Sequence, residues 1–404
     1  MDFTPDPHSQ RLGAELREFL DTEVIPAEAE FHDQLATAVD PWTRPPALRR
    51  LMDGARDRGL WNLFLPGEHG AGLSQLQYAP LAELSGWSPN LAPAAMNCAA
   101  PDSGNMELLD AFATPEQRER WLTPLLSGEI RSAFCMTEPD VASSDARNIG
   151  TRIVRDGDSY RITGRKWYIS GAMNPEARIF IVMGKTDPDA PVYRQQSMIL
   201  VPRDTPGVTV RRAMSVLGYD DREHGGHAEI DFEDVVVPAA NLIKGEGEGF
   251  AIAQARLGPG RIHHCMRLLG MAERALDLTA RRAWDREAFG GPLATQGTVR
   301  TFIAESRITV ESLRLLVLKT AWLMDTRGNR EAHTEIQAIK IAVPREIQRI
   351  LDGCVQLFGA AGLSQDTPLA AFFAAARGLR LADGPDEGHL STLGRAQLKA
   401  YRPQ

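Results

Sequence analysis

An apolar run stops abruptly inside the segment Ala133-Phe134-Cys135-Met136-Thr137-Glu138-Pro139-Asp140-Val141-Ala142-Ser143-Ser144-Asp145. Pro139 has no main-chain N–H to pair with a neighbouring strand, so it ends the run. Small and hydroxylated residues follow, and Thr137, Ser143 and Ser144 offer hydroxyl and backbone N–H groups. The segment therefore predicts a strand that ends in a polar loop able to contact a flat or phosphorylated ligand.

Composition narrows the class of protein. The chain has 404 residues, 43% of them hydrophobic and 24% charged, with a net charge of −8. An acidic balance argues against a nucleic-acid-binding protein, which shows a basic stripe. No apolar run approaches the roughly eighteen residues needed to cross a bilayer. The polar start, Met1 to Gln10, does not match a signal or transit peptide. We expect a globular cytoplasmic protein without a membrane span.

On either side of this segment, the spacing of hydrophobic residues along the sequence changes, from helical to strand-like and back to helical. Residues 1–128 show helical spacing, and Thr114-Pro115-Glu116-Gln117 is typical of a helix start. Between 129 and 242, short β-rich runs alternate with Gly and Pro, and Arg155-Asp156-Gly157-Asp158 indicates a hairpin. Long helical stripes occupy 243–404, the second of them ending at Gly359. We therefore predict an N-terminal helical domain (1–128), a central β domain (129–242) and a C-terminal helical bundle (243–404).

Several common site types do not match the sequence. Gly245-Glu246-Gly247-Glu248-Gly249 lacks the spacing of a dinucleotide-binding loop. The pairs His224/His227 and His263/His264 have no cysteine near enough to complete a zinc pattern. Cys98, Cys135, Cys265 and Cys354 are scattered, which indicates free thiols in a reducing compartment. No Gly-x-Ser-x-Gly elbow is present, and we expect no metal.

Five segments together resemble the acyl-CoA dehydrogenase family over essentially the whole chain. They are Ala133–Asp145, Lys166-Trp167-Tyr168-Ile169-Ser170-Gly171, Arg281–Gln296, Gln356-Leu357-Phe358-Gly359-Ala360-Ala361-Gly362 and Leu381–His389. The resemblance implies an α+β, mostly α fold with an N-terminal helical domain, a central β-barrel or sandwich and a C-terminal four-helix bundle. It also implies FAD as cofactor, an acyl-CoA substrate, a homodimer or homotetramer, and an electron-transferring flavoprotein as partner.

The resemblance carries site roles to individual residues. The residues implied to bind FAD are Phe134, Met136, Thr137, Ser143, Tyr168, Ile169, Ser170, Arg286, Phe289, Gln296, Gln356, Gly359, Ala360, Pro385 and Glu387. Tyr168 and Ser170 are two apart, and strand alternation supports placing them on one face. Arg286, Phe289 and Gln296 are implied to reach the flavin of a neighbouring subunit, with Arg286 on the pyrophosphate. Ala360 stands where the family usually has glycine.

The substrate side is implied by the same resemblance. Ser143, Ser144, Arg261 and Gly384 are the candidates for binding acyl-CoA, and the spacing leaves open which serine contacts it. The partner of Arg261 is either the nucleotide end of acyl-CoA or a nearby structural carboxylate.

Asp383 occupies the position of the family's catalytic base, in Leu381-Ala382-Asp383-Gly384-Pro385-Asp386-Glu387-Gly388-His389. It stands where a glutamate is usual, and its side chain is shorter by roughly 1.5 Å. The pattern resembles the subgroup that contains acyl-CoA dehydrogenase family members 10 and 11, although Gly388 replaces the expected valine. In that subgroup 4-hydroxyacyl- or 4-phosphoacyl-CoA substrates are implicated.

The leading functional hypothesis is FAD-dependent α,β-dehydrogenation of acyl-CoA thioesters in fatty-acid or related catabolism. Asp383 would remove the α-proton while the β-hydride leaves to the flavin. Three alternatives stay open at this point. They are phosphate elimination from a 4-phosphorylated acyl-CoA, a flavin oxidase of the same fold, and a non-catalytic acyl-CoA-binding oligomer. Chain-length preference, electron acceptor and oligomer size do not follow from the sequence.

Overall fold

The structure is a computed structural model that describes residues 6–399 and 401–402. Its contacts divide the chain into two compact units. The first, here called the helical unit, contains the chain up to Ile25, residues Leu73–Pro93 and the chain from Arg261 onward. The second, here called the sheet unit, contains Pro26–Gly72 and Ala94–Gly260.

Helices fill the chain before the sheet and again after it. The early α-helices are Pro7–Phe19, Ile25–Thr37, Pro46–Asp57, Gln75–Ser85, Ala92–Ala95, Asp102–Phe112, Pro115–Gln117 and Thr123–Leu126, with π-helical turns at Leu20–Val24 and Arg118–Leu122. The later ones are Gly249–Asp285, Gly297–Arg327, His333–Phe358, Ala360–Leu363, Leu369–Gly378 and Asp386–Lys399. Single 3₁₀ turns lie at Ala146–Asn148, Val192–Arg194, Arg222–His224, Ala239–Asn241 and Leu293–Thr295.

Local capping chemistry sets several of these boundaries. Ser74 and Thr114 each accept a hydrogen bond from the main-chain N–H of the glutamine three residues later, Gln77 and Gln117. Each glutamine side chain in turn accepts from the N–H of its cap residue, at 2.9 and 3.1 Å. Such reciprocal pairs satisfy N–H groups that a helix start leaves unpaired. The helix start expected at Thr114-Pro115 is confirmed.

Seven strands form the central sheet. They are β1 (Arg131–Cys135), β2 (Arg152–Asp156), β3 (Ser159–Ser170), β4 (Ala177–Lys185), β5 (Gln196–Pro202), β6 (Val208–Met214) and β7 (His227–Pro238). Their order is β1-β4-β2-β3-β7-β6, and β5 pairs with β4. β2 and β3 form the expected hairpin, whose turn needs the positive φ of Gly157 (+59°). β8 (Glu287–Ala288) and β9 (Gly291–Pro292) form a separate two-stranded ribbon.

The sheet encloses a core of its own. Its buried side chains are mainly Ile, Val and Phe from β3, β4, β5 and β7, such as Ile162, Phe180, Val201 and Phe232. β-branched and aromatic residues suit this setting because they pack well on a pleated surface. Helices before and after a central curled sheet confirm the predicted fold class.

In the helical unit, His333–Phe358 is the central helix. It packs against Gly297–Arg327, Leu369–Gly378 and Asp386–Lys399. Its buried stripe includes Ile336, Ile339, Val343 and Ile347, and it ends at Gly359, whose φ is +63°. Glycine adopts that conformation without the steric cost other residues bear, so the predicted helix end at Gly359 is confirmed.

The four cysteines are buried thiols. Burial raises the thiol pKa to about 12 at Cys135 and Cys265 and to about 11 at Cys354. Charged thiolates are disfavoured in these apolar surroundings, which makes the thiols poor nucleophiles.

Candidate active site

In the sheet unit, the loop after β1 is held by the carboxylate of Glu138. Its Oε1 accepts hydrogen bonds from Lys166 Nζ (2.8 Å), Thr151 N (3.0 Å) and Thr151 Oγ1 (2.6 Å), and its Oε2 accepts from Gly150 N (2.7 Å). Burial alone would raise the pKa of Glu138, but the attraction and hydrogen bonds of Lys166 and its other donors lower it. Glu138 is therefore an ionised structural anchor.

Lys166 is the fully buried partner of that anchor, with 0% of its surface exposed. Besides Glu138, its Nζ donates to the main-chain oxygens of Met136 (2.9 Å) and Met183 (2.7 Å). Burial lowers the pKa of Lys166, and the charge of Glu138 opposes that shift. All three ammonium protons have acceptors, so the lysine ties the end of β1 to β4 and to the loop.

The hydroxyl groups of the loop differ in what they contact. Ser143 Oγ accepts from the main-chain N–H of Glu138 (2.8 Å) and lies 3.2 Å from its carbonyl oxygen, which closes the loop on itself. Ser144 and Thr137 are exposed. The carbonyl of Thr137 accepts from Trp167 N at 3.0 Å, so the main chain of Thr137 lies beside β3.

Phe134 and Met136, on and just after β1, are half-buried. The guanidinium of Arg256 lies 4.4 Å from the centre of the Phe134 ring. A cation over an aromatic face is attracted to it, so Arg256 fixes that ring.

β3 is irregular where Tyr168, Ile169 and Ser170 were predicted to face the cofactor. Tyr168 has a φ of +51°, and the pairing of β3 with β7 slips between Lys166 and Ile169. The expected sharing of a face therefore does not follow from strand alternation. His227 brings the two side chains together instead: the Tyr168 ring lies 6.3 Å from the imidazole, and Ser170 Oγ lies 3.0 Å from its Nδ1. Ile169 is buried behind them.

In the helical unit, Asp383 lies in the turn between Leu369–Gly378 and Asp386–Lys399. Its φ is +55° and that of Gly384 is +106°. Non-glycine residues pay a steric cost at positive φ, and such strain concentrates at functional sites. The Asp383 side chain is 17% exposed, and its Oδ2 lies 3.7 Å from His264 Nε2.

Two buried cations hold the main chain of this turn. Arg261 Nε donates to the carbonyl oxygen of Asp383 at 3.1 Å, so one partner of Arg261 is the turn itself. Lys340 Nζ donates to the carbonyl oxygen of Leu379 (2.5 Å) and lies 3.5 Å from that of Gly384. Burial lowers the pKa of Lys340, with the nearby charge of Asp383 among the opposing influences. The backbone around the predicted base is thus fixed from two helices.

His389 packs against the turn that contains Asp383 and Gly384. It is buried, its Nδ1 hydrogen bonds Gln337 Oε1, and a Cβ on Gly384 would lie 2.9 Å from its Nε2. Burial lowers its pKa to about 4, and the positive charges of Arg261 and Lys340 contribute. The imidazole is therefore neutral near pH 7, and only glycine fits at 384.

Asp386 anchors the start of the final helix. Its Oδ2 accepts from Arg345 Nε (2.7 Å) and Arg380 Nε (2.8 Å), and the residue is 2% exposed. Burial would raise the pKa of Asp386, but the two guanidinium groups outweigh it and lower the pKa. On either side, Pro385 is half-buried and Glu387 is exposed.

Three of the other predicted FAD residues lie in or beside the ribbon β8–β9. Phe289 sits at the tip of its turn with a φ of +54°, followed by Gly290 at +88°, and its side chain is 96% exposed. Arg286, just before the ribbon, is exposed, and Gln296, just after it, is half-buried. The turn projects an aromatic ring and a guanidinium outward from the helical unit.

A second exposed group lies at the end of His333–Phe358. Gln356, Gly359 and Ala360 are all exposed. Ala360 begins a one-turn helix, so the usual glycine is replaced at a point where helical φ suits alanine.

Sequence analysis missed the residues that hold the two turns, namely Lys166, Lys340, His389, Arg345 and Arg380. One signal was present. Lys340 falls with Ile336, Val343 and Ile347 at helical spacing, so a cation stands within a buried apolar stripe. Such a lysine is buried only with a polar partner.

Neither a metal-binding cluster nor a membrane-crossing helix is found in the described part of the chain. Across residues 6–399 and 401–402, no cluster of three or more His, Cys, Asp or Glu side chains is arranged to hold a metal ion. No helix in the same residues combines the length and apolar character that crossing a bilayer requires.

Comparison with known proteins defines the class. Residues 6–129, 133–235 and 247–398 match the models of the N-terminal, middle and C-terminal domains of acyl-CoA dehydrogenase. The chain belongs to the acyl-CoA dehydrogenase family, whose members are flavoprotein oxidoreductases.

Individual relatives refine the placement. A probable acyl-CoA dehydrogenase, FadE2, of Mycobacterium tuberculosis is 54% identical, over 98% of this chain and 97% of the relative. Acyl-CoA dehydrogenase family member 11 of Homo sapiens and family member 10 of Mus musculus are each 51% identical, over 98% and 97% of this chain. The chain spans only 51% and 37% of those longer proteins. The predicted resemblance to this subgroup is confirmed.

A solved structure supports the fold. The structure of a putative acyl-CoA dehydrogenase from Mycobacterium abscessus aligns with a TM-score of 0.95 at 50% identity, covering 99% of this chain and 100% of the other.

Proposed function

We propose that the protein is an FAD-dependent acyl-CoA dehydrogenase in which Asp383 removes the α-proton of the substrate. The observation that carries the proposal is the geometry of the Asp383 turn. A carboxylate 17% exposed stands on a backbone of positive φ, held by Arg261 and Lys340 through main-chain oxygens. These main-chain bonds fix the position of the base within the turn.

The chemical groups of the proposed cofactor residues match those of FAD, which has flat rings and phosphates. Thr137 and Ser170 offer hydroxyl groups and Tyr168 offers an aromatic ring, a set that suits a flat, polar-edged ring system. Arg286 offers a guanidinium, which pairs well with phosphate oxygens. Phe289 offers an exposed aromatic surface for a purine or a flat ring. The other predicted cofactor residues, Phe134, Met136, Ser143, Ile169, Gln296, Gln356, Gly359, Ala360, Pro385 and Glu387, complete the proposed site.

The chain's own contribution to the reaction is positional. When bound, FAD supplies the hydride acceptor. Asp383 takes the proton, and the main-chain N–H of Asp383 is directed to the thioester oxygen, where negative charge develops. Gly384, Arg261 and one of Ser143 and Ser144 contact acyl-CoA. The exposed hydroxyl of Ser144 favours that residue, because Ser143 is engaged with Glu138.

The assembly and surroundings of the enzyme form part of the proposal. Phe289 at 96% exposure is compatible with Arg286, Phe289 and Gln296 completing the cofactor site of a second subunit, in a homodimer or homotetramer. We propose an electron-transferring flavoprotein as the acceptor, a cytoplasmic location, and the three-domain division at 128 and 242.

One observation favours a narrower substrate. Arg261, His264 and Lys340 gather cationic or imidazole groups near Asp383. Burial, together with the charge of Arg261, lowers the pKa of His333. Such a set suits an acyl chain with a hydroxyl or phosphate at carbon 4 better than a plain alkyl chain. Comparing flavin bleaching and phosphate release with 4-phosphovaleryl-CoA and with unsubstituted acyl-CoAs separates the two substrates.

Replacing the base tests the main proposal. Asp383→Asn keeps the size of the side chain but removes its basicity, and we expect flavin reduction by acyl-CoA to slow by about 10³-fold, as for loss of a general base. The measurement is anaerobic bleaching of the bound flavin in a stopped-flow instrument. Asp352→Asn, at an exposed position on His333–Phe358, is the matched control and should leave the rate unchanged.

Three outcomes would contradict the proposal. An Asp383→Asn enzyme that is reduced at the normal rate would remove Asp383 from the chemistry. Peroxide formed in step with substrate oxidation in air would favour a flavin oxidase. A purified protein that is colourless and never takes up FAD would favour a non-catalytic acyl-CoA-binding oligomer.

A further inference from the structure

Three side chains of the sheet unit form a hydrogen-bonded chain that the proposed reaction does not yet use. Asp221 Oδ2 lies 2.6 Å from His227 Nε2, and His227 Nδ1 lies 3.0 Å from Ser170 Oγ. Asp221 and His227 are 33% and 17% exposed, so the chain is partly shielded from water. Ser170 is the residue at its inner end and was assigned above to the cofactor.

Strand pairing brings these three side chains together where β3 ends and β7 begins. Ser170 and His227 are direct register partners, at the last residue of β3 and the first of β7. Asp221 returns to His227 through the turn at Gly225 and Gly226, whose φ values are +77° and +63°. The turn is closed by a hydrogen bond from Gly226 N to Asp221 O (2.9 Å). Asp221 itself has a φ of +51°, a conformation that aspartate and asparagine tolerate better than most residues.

The chemistry of the three groups sets the direction of the hydrogen bonds. An ionised carboxylate only accepts, so the imidazole nitrogen facing Asp221, Nε2, carries the hydrogen. In the neutral ring, Nδ1 is then the acceptor, and the hydroxyl of Ser170 donates to it. The hydroxyl hydrogen of Ser170 is thereby committed to His227, and the oxygen keeps its lone pairs for a second partner.

We propose that Asp221 and His227 are positioning residues that turn Ser170 into a hydrogen-bond acceptor toward FAD. This inference rests on the proposed function, because it takes Ser170 to face the cofactor. Reduced flavin has a ring N–H that its oxidised form lacks, and an acceptor oxygen favours the form that can donate to it. The hydrogen-bonded series Asp221–His227–Ser170 therefore raises the reduction potential of the bound cofactor and speeds its reduction by acyl-CoA.

The first test needs no cofactor. In the FAD-free protein labelled with nitrogen-15 histidine, the ring nitrogens of His227 report which of them carries hydrogen, and the signal is assigned by its absence in His227→Gln. At mildly alkaline pH we expect hydrogen on Nε2 and a bare Nδ1. Hydrogen on Nδ1, or on both nitrogens, would overturn the proposed direction of the chain.

The second test uses the FAD-loaded enzyme. Asp221→Asn keeps the shape and the unusual φ but removes the carboxylate that holds hydrogen on Nε2. Its amide can donate to Nε2 as well as accept from it, which allows the hydrogen bonds to reverse. We expect a lower reduction potential, a shifted visible absorption band of the bound flavin and reduction about tenfold slower, the effect of one misdirected hydrogen bond, with KM unchanged. Asp221→Glu restores a carboxylate and should recover part of the potential. A potential and spectrum unaffected by Asp221→Asn would refute the positioning role.

A matched pair in the same unit serves as control. His69 Nδ1 and Asp110 Oδ1 are 2.8 Å apart and partly exposed, and neither is assigned to the site. Asp110→Asn should change neither potential nor rate. Failure of the proposed function looks different: wild-type enzyme would not be reduced by acyl-CoA at all, whatever the hydrogen positions on His227.

Discussion

The turn after β1 and the turn that carries Asp383 each contain a structural acid next to a proline in sequence. The two turns differ in the order of acid and proline and in the cations that bind the acid. In the sheet unit, Glu138 directly precedes Pro139 and is 6% exposed, bonded to a lysine that is fully buried. In the helical unit, the anchor is Asp386, directly after Pro385, and it is bonded to two arginines. The candidate base, Asp383, lies three residues before the anchor.

The comparison shows that different carboxylates carry the two roles. Glu138 and Asp386 anchor the turns, and Asp383 is the proposed proton acceptor. The carboxylates of Glu138 and Asp386, each bonded to cationic side chains, have lowered pKa values, which suits a structural role and opposes proton uptake. Asp383 is held through its main chain, whose carbonyl oxygen accepts a hydrogen bond from Arg261. The turn is thus rigid at Asp386 while the reactive group remains 17% exposed.

The largest effect is expected from breaking the sheet-unit anchor. Lys166→Met leaves Glu138 buried without its cation, and removing one partner of a buried ion pair costs about 3–5 kcal/mol. Urea unfolding followed by fluorescence measures the loss. Lys185→Met, at a half-buried position on β4, is the control and should change stability much less. Equal losses in the two variants would mean that the buried pair has no special role.

A smaller effect is expected from crowding the helical-unit turn. In Gly384→Ala the added Cβ meets His389 Nε2 at 2.9 Å and the residue must keep a φ of +106°. Backbone strain of this kind costs about 1–3 kcal/mol, and displacement of Asp383 should slow flavin reduction by about a hundredfold. Urea unfolding measures the stability of this variant, and anaerobic flavin bleaching measures its rate of flavin reduction.

Gly394→Ala provides the comparison for that variant. Gly394 lies in the final helix with open space around its Cβ direction, and alanine suits a helix interior better than glycine. Its stability should be equal to or above that of the wild type, with the rate unchanged. A normal rate in Gly384→Ala would show that the turn tolerates displacement.

The smallest effect concerns pH. The folded-state pKa values of Glu138 and Asp386 are both lowered, so each stabilises the fold above the ordinary pKa of its side chain, about 4, and this contribution is lost as the pH falls further. Asp386→Asn should unfold with a shallower dependence on pH below about 4 than the wild type. Urea midpoints across that range provide the measurement, and parallel curves would argue against an ionised Asp386.

Local patterns were enough to predict the strands, the hairpin at Gly157 and the helix end at Gly359, because period and turn residues lie within a few positions of one another. The anchors could not be predicted in this way. Lys166 meets Glu138 across 28 residues, and Arg345 meets Asp386 across 41. The slip in β3 at Tyr168 was also missed, since no local residue type enforces it. Which of several polar residues will be buried together depends on strand register and helix packing.

The buried cysteines give each compact unit its own built-in reporter. Cys98 and Cys135 belong to the sheet unit, and Cys265 and Cys354 to the helical unit. Because none is accessible while folded, a thiol-specific alkylating reagent can mark a cysteine only during an opening event. Mass spectrometry of the labelled peptides would therefore show whether the two parts of the molecule open together or one at a time, without any engineered probe.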